Sequence, residues 1–487
     1  MVENGGHQFR QKEVADGVDS KHTATAQVKL DARQVKKTLA LLALIQFGEG
    51  WLGTVVMPIL PYMVNGFPRN MALSESEQKS VNGDRVGMIG AGFFLASTLF
   101  SSIWGMLSDR FGRRPTLLIG SAGSAIGILV FGCCQDFYPA FLAYFLTGMF
   151  SSNISVTKSY LAEITDENTQ ARAFSLVCLM YSLASIMGPS AAGFLGGTES
   201  FLGIHDLPYA FVISFVSACF AGVVFCVGFL YLPESPAFIR GRDASSVELS
   251  SLSPAVQARK KPSAATNDNV RRDIFTTISN YGLLALVEIS LTLLVPFLCE
   301  SSRDHSGLGL TSRTLGMILA FQGGVSVMYQ AFIFPKLAKF ITPISFFKYA
   351  SIAMVLTVPL PYLATFCSNN VGAIAILSLS LGLRIIPETT AYTSSMILIA
   401  NASPAHMRGL INGVANTVAS LGRTIGPYLT GKTWGRVSVI GAGWIPFVSL
   451  SIGAAFLFVL SMRLSPNLNL PYEPVWQASD DEIDEQP

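Results

Sequence analysis

Charge is what this chain has least of. Only 13% of its 487 residues are Asp, Glu, Lys or Arg, where a soluble chain carries about a quarter. Lys and Arg number 33 against 31 Asp and Glu, a net charge of +2. That field is too weak to gather a polyanion, which excludes nucleic acid as a partner. Cysteine is sparse as well. Cys133, Cys134, Cys178, Cys219, Cys226, Cys299 and Cys367 lie in or beside apolar runs with no CxxC pair, which reads as small core side chains and argues against a metal site. No nucleophile stands with a base and no Gly-rich loop is spaced to cradle phosphate, so neither enzymatic chemistry nor a cofactor is expected. No cleavable signal peptide is expected either, because residues 1–36 are polar and the first apolar run is too long for an h-region.

What fills the chain is apolar. Half its residues are hydrophobic and the mean hydropathy is +0.47. Apolar segments recur at 38–64, 86–107, 115–133, 137–160, 173–196, 209–232, 279–300, 314–334, 346–366, 371–400, 409–430 and 438–462, which makes twelve candidate spans. The runs Val86 to Leu107 and Pro115 to Phe131 can each cross roughly 30 Å of hydrocarbon at about 1.5 Å per residue. Between the sixth and seventh spans, residues 233–278 are rich in Ser, Lys and Arg without a helical apolar period and read as a flexible linker. The expected organisation is a tail at 1–37, a six-helix unit at 38–232, the linker, a second six-helix unit at 279–462 and an acidic tail at 463–487.

Lys and Arg in short loops favour the cytoplasm. Arg33, Lys36 and Lys37, the turn with Arg110, Arg113 and Arg114, then Lys158, Arg172, the linker, Lys336, Lys339 and Lys348 alternate with basic-poor segments and place both termini on the cytoplasmic side. Arg69, Lys79, Arg303, Arg313, Lys432 and Arg436 fall on the other side, so the rule is obeyed as a bias. Residues 65–84 are expected as a long external loop.

Two motifs organise this pattern. Gly105-x-x-x-Asp109-Arg110-x-Gly112-Arg113-Arg114 packs charge and glycine into a turn between the second and third spans. Gly188-Pro189-Ser190-Ala191-Ala192-Gly193 in the fifth span is echoed by Gly426-Pro427-Tyr428-Leu429-Thr430-Gly431 in the eleventh, each after a basic residue, Arg172 or Arg408. On these residues the chain resembles the major facilitator superfamily, and the resemblance covers 38–462. The turn matches the signature between that superfamily's second and third helices in every defining position. The fifth-span motif is similar to that of the antiporter branches, with Ala184 and Ala192 where glycines are usual. Phe47-Gly48-Glu49…Pro58…Leu60-Pro61-Tyr62-Met63, Tyr231-Leu232-Pro233-Glu234-Ser235 and Ser395-Met396-Ile397-Leu398-Ile399-Ala400-Asn401…Arg408-Gly409 resemble the zinc-induced facilitator-like and fungal drug-efflux relatives.

The resemblance implies an all-α membrane protein, twelve transmembrane helices in two pseudo-symmetric six-helix bundles that rock about a central cavity. It also has departures. Tyr144 stands four residues before Gly148, where the proton-coupled exporters carry an arginine, so that arginine's role is not carried over. The Cys-Pro-Gly-Cys and histidine-rich signatures of the plant zinc-induced facilitator-like proteins are absent. Leu232-Pro233-Glu234-Ser235-Pro236 resembles sugar porters too, but the seventh span lacks their paired glutamines.

Candidate site residues follow from charge in apolar surroundings, which costs at least about 2.5–3.5 kcal/mol at a helix centre. Glu49, Glu288, Arg384 and Glu388 lie in the first, seventh and tenth spans, which line the cavity in the superfamily. Arg384 and Glu388 share a helix face and can neutralise each other, unless Pro387 breaks that geometry. Glu49 and Glu288 have no partner nearby in sequence; one of them, Glu49 first, is expected to couple protons to substrate, or both bind a cationic substrate group directly. Gln46, Asn153, Gln322 and Gln330 either line the cavity or bond between helices. Gly105, Asp109, Arg110, Gly112, Arg113 and Arg114 form an expected conformational latch with Glu163 and Arg172 as partners, Asp109 accepting from the amides at a neighbouring helix terminus. Gly188, Pro189, Gly193, Gly426 and Pro427 are expected points of packing or flexing.

The expected function is proton-coupled efflux of a small organic compound, with protons, substrate and the lipid bilayer as partners and a monomeric state. Uptake of a nutrient or sugar on the same fold, and a receptor or scaffold that has lost transport, are the alternatives. The plasma membrane is preferred to the vacuolar membrane.

Overall fold

The computed structural model describes residues 32–68, 73–151, 153–165, 167–198, 201, 205–235, 268–403 and 408–469. Most of the N-terminal tail, the linker from 236 to 267 and the acidic end of the C-terminal tail lie outside the described residues, as does the side chain of Arg172. The structure is all-helical in architecture. Its helices are α1 (Ala32–Thr54), α2 (Leu60–Asn65), α3 (Glu75–Phe111), α4 (Arg113–Gly132), α5 (Phe137–Phe150), α6 (Asn153–Ile164), α7 (Glu167–Leu195) and α8 (Phe211–Tyr231) in the first half. The second half has α9 (Asp268–Glu300), α10 (Ser312–Met328), α11 (Phe334–Leu337), α12 (Pro343–Thr357), α13 (Asn370–Ala402), α14 (Arg408–Val437) and α15 (Ile445–Ser461).

These elements make twelve spans because several spans are built from two pieces. The first is interrupted between α1 and α2, where Pro58 and Pro61 lack the N–H that a continuous helix needs. The fourth is broken at Ser151, between α5 and α6. The eighth passes through a π-helical turn at Tyr329–Ile333, and the ninth ends in a 3₁₀ segment at Leu360–Phe366. By contrast Pro189, Pro296, Pro387 and Pro427 sit inside helices that continue past them.

One expectation needs correcting. Residues 65–84 are not a long loop, because α3 already begins at Glu75. Ser74 caps it: the Glu77 amide donates to the Ser74 hydroxyl at 3.3 Å and the Ser74 amide donates to the Glu77 carboxylate at 2.8 Å, a reciprocal capping box. The helix then runs for 37 residues, about 55 Å at 1.5 Å per residue, so its polar first turns project beyond the hydrocarbon.

The halves meet along two seams, α3 against α14 and α7 against α10. Small residues let the backbones touch: a Cβ on Gly83 would stand 2.6 Å from the Gly431 carbonyl oxygen, and one on Gly316 would stand 2.7 Å from the carbonyl carbon of Gly193. A set of hydrogen bonds and an ion pair cross between the halves at the end of the molecule remote from the Gly112 turn. Asn65 donates to Glu300 at 2.7 Å, Tyr62 to the Leu310 carbonyl at 3.0 Å, Ser312 to the Gly196 carbonyl at 3.2 Å and Lys79 meets the His305 ring at 2.8 Å. Arg436 also pairs with Asp84 at 3.2 Å. The halves are therefore fastened at that end, and toward the turn end α3 and α14 part until Ser97 and Asn416 both line a cavity.

Candidate functional site

Two chambers lie one above the other between the halves. The upper, about 120 Å³, is lined by Tyr181, Ser185 and Pro189 of α7, Glu288 of α9, Gln322 and Gln330 of the eighth span, Arg384, Glu388 and Tyr392 of α13, and Arg423 of α14. The lower holds Gln46, Glu49, Lys158, Tyr281 and Asn416, and shares Tyr181, Tyr392 and Arg423 with the upper. Arg384 and Glu388 form an ion pair of 2.5 Å across Pro387. The proline removes one backbone hydrogen bond but leaves positions 384 and 388 on one face, so the helix is not broken there. Glu288 has one carboxylate oxygen buried without a partner among the described residues, as has Gln322 its amide oxygen.

Glu49 is held differently. It is 9% exposed, and its carboxylate accepts from the amide of Asn153 at 2.9 Å. Asn153 opens α6, so the break in the fourth span aims a helix N-terminus at the carboxylate. Ser121, Ser124, Ser151 and Asn153 line a small crevice behind it, inside the first half. Asn153 thus faces that crevice, whereas Gln46 lines the lower chamber, both its amide atoms buried and unpartnered among the described residues.

At the other site of charge, the turn, Gly112 takes φ +105° and a Cβ on it would stand 2.5 Å from a Glu234 carboxylate oxygen. Glu234 accepts from the amides of Arg113 at 2.8 Å and Arg114 at 3.3 Å, satisfying the free N–H groups that open α4. The role expected of Asp109 is therefore filled by Glu234; Asp109 instead pairs with the Arg113 guanidinium at 2.5 Å. Arg113 reaches Glu163 at 2.7 Å, and the Ser235 hydroxyl donates to the other oxygen of Glu163. Arg114 donates to the Phe229 carbonyl at 2.6 Å, while Arg110 is exposed over the Phe111 ring. A Cβ added to Gly105 would meet nothing within 4 Å, and all these partners belong to the first half.

Comparison with known proteins decides the family, because the pattern of the Major Facilitator Superfamily matches residues 42–427. The chain belongs to this superfamily. It is 27% identical over 458 residues to "Protein ZINC INDUCED FACILITATOR 1" of Arabidopsis thaliana, covering 87% of this chain and 88% of that one. It is 27% identical over 478 residues to "Major facilitator superfamily multidrug transporter mfsB" of Aspergillus fumigatus, covering 81% and 78%. A crystal structure of a D-xylose–proton symporter superposes with a TM-score of 0.67 at 14% identity, covering 89% of this chain and 99% of that one. The protein is thus a multi-pass membrane transporter of the major facilitator superfamily, not an enzyme.

Within that superfamily fold the repeated Gly-Pro motifs occupy equivalent places, one on each seam. Gly193 lies against Gly316, Pro427 against Gly87 and Gly90, Gly426 against Ser290, and Gly188 against the end of α1 near Thr54. Two residues of the superfamily protein's charged sites escaped the sequence reading. Glu234 was visible only as part of a motif after the sixth span. Arg423 is an ionisable residue inside the eleventh span, and the argument that singled out Glu288 applies to it without change.

Proposed function

We propose that this transporter exports a small organic compound from the cytoplasm, driven by protons and working by alternating access. The observation that carries the reading is Glu49, a buried carboxylate held by the N-terminal amide of a broken helix and facing the cavity between the bundles. A carboxylate in that position is costly to keep charged and is positioned to exchange a proton. Lys and Arg bias supports a cytoplasmic turn end; on that reading the halves are fastened outside and part toward the inside. The name of the Aspergillus relative, a multidrug transporter, favours export of an organic compound. On this reading Asp109, Arg113, Glu163 and Glu234 brace the first bundle at its cytoplasmic face. The second bundle, approaching or leaving that face, completes the cycle, with a monomer in the plasma membrane as the working unit.

Liposomes containing the full-length protein, under an imposed pH gradient, test this directly. Substrate-dependent proton movement that vanishes in Glu49→Gln is expected. Flux that persists without proton movement would make the protein a facilitator and Glu49 a binding group.

A further inference from the structure

Arg423 is 8% exposed and sits where the two chambers join. Among the described residues it makes no ion pair and no hydrogen bond, although a guanidinium carries five N–H donors. The other cavity arginine, Arg384, is neutralised by Glu388 at 2.5 Å. Glu288 faces Arg423 across the upper chamber but stands beyond ion-pair distance, and both belong to the second bundle, so rocking of the bundles does not bring them together. An unpartnered buried carboxylate has a way out, since it can take up a proton. An arginine has none, because its guanidinium stays charged in proteins. Among the described residues no carboxylate stands within ion-pair distance of it and Glu288 acts on it only from farther off, so its fork is open to an arriving anion.

The surroundings narrow the anion. Tyr181 and Tyr392 line both chambers beside Arg423, and the Tyr281 ring stands 6.0 Å from that of Tyr392. Aromatic rings offer flat apolar faces to a flat ligand, and the guanidinium fork matches the two oxygens of a carboxylate. We propose that Arg423 is the receptor for a carboxylate on the transported compound, carried on a planar, unsaturated or aromatic body that lies among the three tyrosines. This deepens the transport reading above and rests on it for the word "transported". Whenever Glu288, in the same chamber, is ionised, it opposes the bound anion by like charge.

The test uses the full-length protein with three shape-matched probe sets: benzoate and 2-naphthoate, their amides, and the corresponding arylmethylammonium ions. Binding is read by calorimetry in detergent and flux in liposomes, with thermal unfolding as a check that each variant is folded. The carboxylates are expected to bind in preference to amides and ammonium ions. Arg423→Gln should weaken them by about ten- to a hundredfold, Arg423→Lys by less because charge without the fork is retained, and Glu288→Gln should tighten them. Ammonium ions binding in place of the carboxylates, carboxylates binding Arg423→Gln as well as the parent, or no carboxylate binding at all would each overturn the proposal. The two readings fail separately. Carboxylate binding with no flux sinks transport and leaves the receptor, whereas proton-linked flux indifferent to Arg423→Gln sinks the receptor and leaves transport.

Discussion

The two halves of this protein spend their charge in opposite places. The first half concentrates it at the turn after α3, where Asp109, Arg113, Glu163 and Glu234 satisfy one another and the start of α4. At the equivalent turn of the second half, Lys336 in α11 and Lys339 just after it are exposed and Phe340 is 87% exposed, with no ion pair among the described residues. In the cavity the order reverses. The first half offers Glu49, already partnered by an amide, and Lys158 at the edge of the lower chamber, while the second offers, beside the paired Arg384 and Glu388, a Glu288 and an Arg423 that make no ion pair among the described residues. Paired charge fixes a shape and unpaired charge waits for a ligand. The comparison therefore separates a braced bundle from a receiving one.

The largest effect that bears on this division is expected at the seam joining the two bundles. In Gly87→Val the added Cβ would stand 2.8 Å from the Pro427 carbonyl oxygen and 3.2 Å from the Gly431 Cα. Backbone must move to admit it, and overpacking of this kind costs about 1–3 kcal/mol. Transport should fall steeply, and a cysteine placed at Ser438, in the chamber beside the fastened end, should gain reactivity toward a membrane-impermeant thiol reagent. Gly222→Ala, where a Cβ meets nothing within 4 Å, should leave both unchanged.

Arg113→Ala comes next. It removes bonds to Asp109, Glu163 and Ser108 at once and should lower stability by about 2–3 kcal/mol, read as a drop in unfolding temperature. If the loss is no greater than that of Lys339→Ala, the contrast between the turns collapses. A smaller loss is expected for Asp109→Asn, because that carboxylate is 68% exposed and an exposed pair contributes under about 1 kcal/mol. Glu234→Ala, which strips two helix-opening amides of their acceptor, should exceed it. Smallest of all, Lys336→Ala and Lys339→Ala should shift stability by no more than about 0.5 kcal/mol.

How much of this was legible depended on the kind of signal. The spans could be read because a helix in lipid must be apolar over a fixed length, and nothing in hydropathy hides such runs. Their interruptions were invisible. The break at Ser151 follows from packing, where the Asn153 amide finds a carboxylate on another helix, and no local residue announces it. The early start of α3 was written plainly in Ser74 and Glu77, but it lies outside the apolar run and so was assigned to a loop. Pro387 misled in the other direction. A proline inside a long membrane helix is tolerated when neighbouring groups absorb the lost bond, so the Arg384–Glu388 pair closes over it. Glu234 lies far in sequence from the turn it caps, and only folding joins them. Arg423 alone was within reach, hidden by attention to the Gly-Pro pair that follows it.

The glycine seam carries a thermal consequence. Where Gly83 and Gly87 lie against Gly431 and Gly435 the contact is backbone on backbone, so parting it uncovers little apolar side chain. The heat capacity of a conformational change follows the apolar surface it exposes, at about 0.45 cal/mol/K per Å². A seam built from glycine adds little to that quantity. Along this stretch the enthalpy of parting keeps nearly one value at every temperature, so the balance between the fastened and parted forms follows a straight van't Hoff line rather than a curved one.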